Sequence, residues 1–135
     1  VNDVSAINYN GHNNIAYCFH SVDGFSKIGS YTGNGSTDGS FIYTGFQPKY
    51  VLIKDTDTAE SWLIYDTERS ESNLTDDFLI ANTSGAEVTN NSSTNLDILS
   101  NGFKIRVTNT SLNKNGDEYI YMAFAEFPFK FANAR

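Results

Sequence analysis

The stretch Leu99-Ser100-Asn101-Gly102-Phe103-Lys104-Ile105-Arg106-Val107-Thr108 decides the fold. Phe103, Ile105 and Val107 alternate with Lys104, Arg106 and Thr108. Successive side chains of an extended chain point to opposite faces, so this run is a strand with one apolar and one solvated face. The Asn-Gly step before it suits a tight hairpin turn, because both residues tolerate positive φ. The residues just upstream then read as the paired strand.

Working outward, the period of two recurs. Ile15, Tyr17 and Phe19 alternate with Ala16, Cys18 and His20. Three other runs are apolar at consecutive positions: Tyr50-Val51-Leu52-Ile53, Trp62-Leu63-Ile64-Tyr65 and Tyr119-Ile120-Tyr121-Met122-Ala123-Phe124. Short runs of this kind, rich in aromatic and β-branched side chains, suit strands buried between layers. On that reading Trp62 is a core residue. Further Asn-Gly steps stand at 10–11, 34–35 and 115–116, and Pro48 stands where a strand begins and a missing N–H does least harm. The expected strands are 14–20, 25–32, 39–46, 50–55, 61–66, 78–81, 96–100, 103–108 and 118–127. About nine short strands joined by polar turns predict an all-β domain, an antiparallel β-sandwich or jelly roll. Residues 67–77 offer the one place for a helical turn, but they are acidic and lack an apolar stripe, so an exposed loop is expected. Residues 82–95 read as loop as well. Residues 1–14 read as a polar lead-in joining modules, without a leader pattern, and 15–135 as a single domain.

Composition narrows the classes. At 135 residues the chain suits one domain with a core of its own. Sixteen Asn, 14 Ser and 12 Thr supply the turns, while 14% aromatic content argues against disorder. A net charge of −7 with nine Lys and Arg disfavours a nucleic-acid partner and an anionic membrane surface. No apolar run has the ~18–20 residues of a membrane-spanning helix. Cys18 is the single cysteine, so packing or assembly, rather than an internal disulfide, holds the chain together.

Candidate chemistry is sparse. Glycoside hydrolysis needs two carboxyls ~5–10 Å apart, and Asp55-Thr56-Asp57 with Glu60, or Asp66-Thr67-Glu68, are the nearest matches. Both lie where a strand runs into a loop. Asp55/Asp57, Asp76/Asp77, or Asp23 with Asp38 can each offer oxygens to Ca²⁺, but a calcium site takes ~6–8 of them and no EF-hand spacing is present, so no metal or other cofactor is assigned. Cys18, His20 and His12 fall short of the ~four ligands of a zinc site. There is no G-x-S-x-G elbow, and Gly33-Asn34-Gly35-Ser36-Thr37-Asp38-Gly39 lacks the Lys-Ser/Thr ending of a phosphate loop. Sugar recognition combines an aromatic face with amides and carboxylates. Trp62, Asp55, Asp57, Asn34 and Asp38 are the residues that can supply it. The aromatic tail Phe127, Phe129 and Phe131 is the candidate docking strip for assembly.

Several blocks together are specific enough to carry a resemblance. They are Ile15 to Ser36; Asp38-Gly39-Ser40-Phe41-Ile42-Tyr43-Thr44-Gly45-Phe46; Tyr50 to Lys54; Ser61 to Asp66; Leu99 to Ile105; and Tyr119 to Glu126 with the closing Pro128 to Arg135. They resemble a domain of uncharacterised function found, often C-terminally, in virion and tail-fibre-type proteins of tailed, largely marine, phages. The resemblance implies a concanavalin-like sandwich serving as a non-enzymatic virion module: tail fibre, spike or decoration. It brings no catalytic residues. It implies other virion proteins or copies of the chain itself as partners, a homo-oligomer, and location in the particle after synthesis in the host cytoplasm. Attachment to a host-surface glycan as a lectin-like module is the alternative, and a polysaccharide-degrading enzyme the second alternative.

Overall fold

A computed structural model describes residues 13–128. Its strands are β1 (Ser26–Thr32), β2 (Phe41–Tyr43), β3 (Pro48–Asp55), β4 (Leu63–Asp66), β5 (Leu79–Ile80), β6 (Leu96–Leu99), β7 (Gly102–Ile105) and β8 (Glu118–Ala125). One four-residue helical turn, α1 (Thr110–Asn113), precedes β8. The strands form two antiparallel sheets, of order β1-β8-β3-β4-β5 and β2-β7-β6. The chain is therefore an all-β, antiparallel sandwich, as its patterning predicts. No helix among the described residues is long and apolar enough to cross a membrane.

Alternation puts the core between the sheets. Val51, Ile53, Leu63, Tyr65, Tyr119, Tyr121 and Ala123 face inward from the larger sheet. Ile42, Leu96, Ile98, Phe103 and Ile105 meet them from the smaller one, all buried. Phe103 crosses the gap to set its ring edge-on to Tyr121, centroids 5.4 Å apart. Full burial of a Val, Leu, Ile or Phe side chain of this core contributes roughly 1.5–3 kcal/mol.

Hydroxyls and amides tie the layers together. Tyr31 stacks on Tyr119 at 4.9 Å. The Tyr31 hydroxyl donates to the Leu112 carbonyl and the Tyr119 hydroxyl to that of Thr110, at 2.8 and 2.6 Å. Two strands thus grip α1, whose first turn is capped by the Asn109 side chain accepting from Leu112 N–H. Burial pushes the Tyr31 phenol well above its ordinary pKa, and burial pushes Tyr119 up to about 12.

Several sequence expectations are corrected. Residues 14–20 form no strand. The Ser21 hydroxyl accepts from Ile28 N–H and donates to Ile28 O, so a side chain occupies the β1 edge where the next ladder pair would form. Gly24, at φ 68°, closes the turn that brings Val22 onto Ser26. The described residues hold eight strands, in keeping with the number expected, and within the 39–46 run the regular strand is Phe41–Tyr43. Residues 67–77 form a loop, as expected. Among the described residues the helical turn is α1, which the sequence reading missed. At Asn101-Gly102 the glycine serves packing rather than positive φ: a Cβ there would lie 2.1 Å from the Ile42 carbonyl oxygen.

Candidate functional site

Strand parity decides what the outer face of the larger sheet presents. The registers Ile28↔Met122, Leu52↔Met122 and Leu52↔Ile64 put these side chains on one face, opposite the core. Ile120 follows two residues from Met122 and stands on the same side. The result is an open groove of about 480 Å³ lined by Ile28, Leu52, Trp62, Ile120 and Met122, with Ser30 and Glu118 as its polar members. At one end Phe124 gathers Tyr50, Phe25 and Phe19, with ring centroids 5.9–6.2 Å away. The expectation that these strands lie between layers fails on this side, because nothing among the described residues covers the groove.

Trp62 corrects the same expectation. It is not a core residue: it stands 36% exposed at the head of β4. Its backbone is held by the Asn82 side chain, which accepts from Trp62 N–H at 2.9 Å, and by Ala81 N–H donating to Trp62 O. The backbone is thus fixed while the indole lines the groove.

Asp55 and Asp57 lie beyond the groove, at the end of β3. Asp55 is fully buried, and its carboxylate closes the turn that follows. Oδ1 accepts from the N–H groups of Asp57 and Thr58 at 2.8 and 3.1 Å, and Oδ2 from the Thr58 hydroxyl. Burial raises its pKa, but these hydrogen bonds and the Lys54 ammonium outweigh burial and hold it below the usual carboxylate value. Asp57 Oδ2 accepts from Glu118 N–H at 2.7 Å, which anchors the strand that carries the groove. Asp117 completes a trio whose carboxylate oxygens lie within 4.8 Å of one another. The sequence reading missed Asp117, which is brought in from sixty residues downstream. Among the described residues this trio is the group that can offer three ligands to a cation. Each member already accepts hydrogen bonds, Asp117 from the Lys114 ammonium at 2.8 Å. Among the described residues the Asp76/Asp77 and Asp23/Asp38 pairs gather no third ligand.

Asn34 and Asp38 serve a different structure. Asn113, fully buried, accepts from Asn34 N–H at 2.9 Å, and its amide nitrogen faces Asn34 Oδ1, Ser36 O and Val107 O at 2.8–2.9 Å. This amide knots the 33–39 loop to α1. The approach is close: a Cβ on Gly33 would sit 2.2 Å from the Lys114 carbonyl oxygen. Asp38 is ion-paired with Lys104. Neither residue lines the groove, so the five proposed ligand residues do not form one site.

A second, polar depression of about 440 Å³ lies among Gln47, Glu68, Glu71, Asn73, Thr75 and Glu126. The 67–77 loop builds it, and Asn73 docks that loop on β6 by exchanging hydrogen bonds with Ile98 O and Ile98 N–H at 2.8 and 2.9 Å. The acidity of the segment was its signal in sequence, but the walls from Gln47 and Glu126 were not visible there. Of the aromatic tail, Phe127 is 74% exposed, while Phe129 and Phe131 lie outside the described residues.

Residues 2–128 match the model of a family described as a domain of unknown function, DUF7483, and the chain belongs to that family. No curated protein and no solved structure matches it.

Proposed function

We propose that the domain is a non-catalytic structural and attachment module of a phage-type virion appendage, a fibre, spike or surface decoration. It works by seating the outer face of its five-stranded sheet against another surface. The observation that carries this reading is the apolar groove of Ile28, Leu52, Trp62, Ile120 and Met122. A sheet face of a free-standing sandwich is ordinarily solvated by polar side chains, and contiguous exposed apolar surface marks a contact. The virion setting rests on the sequence resemblance. An enzymatic reading draws no support from the carboxylates, since Asp55 is buried and engaged in its own turn. The test is to purify particles from a host expressing the full-length protein and locate the domain by mass spectrometry and immunogold labelling. Incorporation that Ile120→Glu abolishes is the expected result. Absence from particles overturns the virion reading, and incorporation untouched by Ile120→Glu overturns the role of the face.

One observation favours a second reading. The Trp62 indole lines the same groove as Ser30 and Glu118, and an aromatic platform with polar groups is the combination that sugar sites use. A glycan array followed by titration of Trp62 fluorescence checks it, with loss of signal in Trp62→Ala as the required control.

A further inference from the structure

Residues 15–19 and the groove are two apolar surfaces of one chain that meet only where Phe19 touches Phe124 at the groove's end. Ile15, Tyr17 and Phe19 alternate as in a strand, yet they stand 82%, 81% and 58% exposed. No ladder hydrogen bond reaches residues 15–19 among the described residues. We propose that the segment Ile15–Phe19 docks on the apolar sheet face of a second copy of this chain, and that the second copy returns the same contact, giving a two-fold dimer. The inference rests on the reading of that face as a docking surface, and it names the occupant.

Length fits. Ile15 to Phe19, extended, spans about 13 Å, the same as the outward row Ile120, Met122, Phe124 on β8. Charge fits as well. Residues 13–22 carry no Asp, Glu, Lys or Arg, and Glu118 is the single charged residue lining the groove. Two chains of net charge −7 can therefore approach along this path without bringing carboxylates together. The chain's own groove is the nearer alternative, but the segment does not lie on it. Phe19 touches Phe124 at the groove's end, and the chain upstream leaves Tyr17 and Ile15 in solvent.

Area decides between one-way and reciprocal contact. Fully buried aromatic side chains hide ~150–250 Å² each, so the three exposed side chains offer roughly 400 Å². Docked one way, with the smaller area the groove exposes, they bury about 500 Å², short of the ~1,000 Å² a specific interface needs. Exchanged two ways they bury about 1,000 Å², which reaches that threshold. A self-complementary pair of this kind closes on itself, as two-fold dimers do.

The experiment is light scattering of the 135-residue chain over a dilution series, with Tyr17→Asp and Ile120→Glu alongside. Circular dichroism confirms that each variant is folded, and Tyr17, being exposed, gives a variant whose folding is not in question. The expected result is a species of twice the 15.0 kDa chain mass. Either variant should weaken self-association at least ~100-fold. Mixing the two variants should restore one of the two contacts, and hence a weaker heterodimer. A dimer that survives both substitutions overturns the proposal, as does a wild-type chain that is monomeric at every concentration. In that monomeric case the emission of Trp62, the single tryptophan, separates the remaining occupants. A red shift in Tyr17→Asp identifies the chain's own segment, and no shift points to a foreign partner. The docking-face reading itself fails only if Ile120→Glu leaves particle incorporation unchanged, so the two failures are distinct.

Discussion

The two outer faces of this sandwich are dressed in opposite ways. On the three-stranded sheet the outward positions mix charge pairs, Lys104 with Asp38 and Arg106 with Asp97, with two exposed aromatics at the edge, Phe41 and Tyr43 on β2. On the five-stranded sheet the outward positions include Ile28, Leu52, Ile120 and Met122, with Trp62 at the margin and Ser30, Lys54 and Glu118 toward one end. Both sheets share one core, so hydrophobic folding within the chain explains the inward residues of each and the outward residues of neither. The paired charges of the smaller sheet are satisfied by water and by each other, and its two exposed aromatics stand on the edge strand β2. The apolar face gains from being covered, and that difference is the strongest functional signal in the molecule.

The sharpest way to break the comparison is to make the faces alike. Ile120→Glu places a charge in the apolar groove and should weaken self-association at least ~100-fold, about 2.8 kcal/mol, by light scattering. Its urea midpoint should stay near wild type, because Ile120 is already 39% exposed. A variant that unfolds instead would mean that the outer face stabilises the monomer, and the contrast between the faces would lose its meaning.

The next effect concerns what holds the apolar face in shape. Asp55→Ala leaves the N–H groups of Asp57 and Thr58 without their acceptor at a buried turn, which should cost about 2 kcal/mol in urea unfolding. The pH dependence has a definite sign. The folded carboxyl has a pKa below its unfolded value, so the unfolded state binds the proton more tightly and stability rises with pH. The contribution is complete above the unfolded value of ~3.9 and is lost as pH falls through the lower folded value. Wild type should therefore lose stability on acidification more steeply than Asp55→Ala.

Smaller still, Trp62→Ala should weaken whatever the groove binds about fivefold, or ~1 kcal/mol, with little change in thermal midpoint. Smallest of all, Lys104→Ala on the charged face should leave both the urea midpoint and self-association unchanged, since exposed ion pairs are screened by solvent and salt. If Lys104→Ala dissociates the protein as Ile120→Glu is expected to, the faces have been assigned the wrong way round.

Much of this was legible in the sequence, and the parts that were not have physical reasons. The alternation at Phe103–Val107 and the consecutive apolar runs that became β3, β4 and β8 identified strands and predicted the sandwich. Those runs left open whether a third layer or an uncovered face lay beyond them, because an apolar outer face looks the same in sequence either way. Trp62 was placed in the core for that reason. Ile15–Phe19 has a strand's pattern, but pairing depends on a free edge, and the Ser21 hydroxyl had taken it. The carboxylate trio needed Asp117, and the loop knot needed Asn113 to reach Asn34, contacts across 60 and 79 positions that no local pattern encodes. The helical turn at Thr110–Asn113 is too short for a period to register.

The pairing of β1 with β8 has a mechanical consequence. Ser26 at the start of β1 lies opposite Phe124 near the end of β8, so the flanking chain enters and leaves the sheet at the same end. A tensile load applied through those two points peels the strands apart one rung at a time instead of shearing all rungs together. Stretched between its ends in a force-spectroscopy experiment, the isolated domain should yield at low force. A neighbour clamped over that end would bridge the rip point and let the pair carry tension that neither copy bears alone.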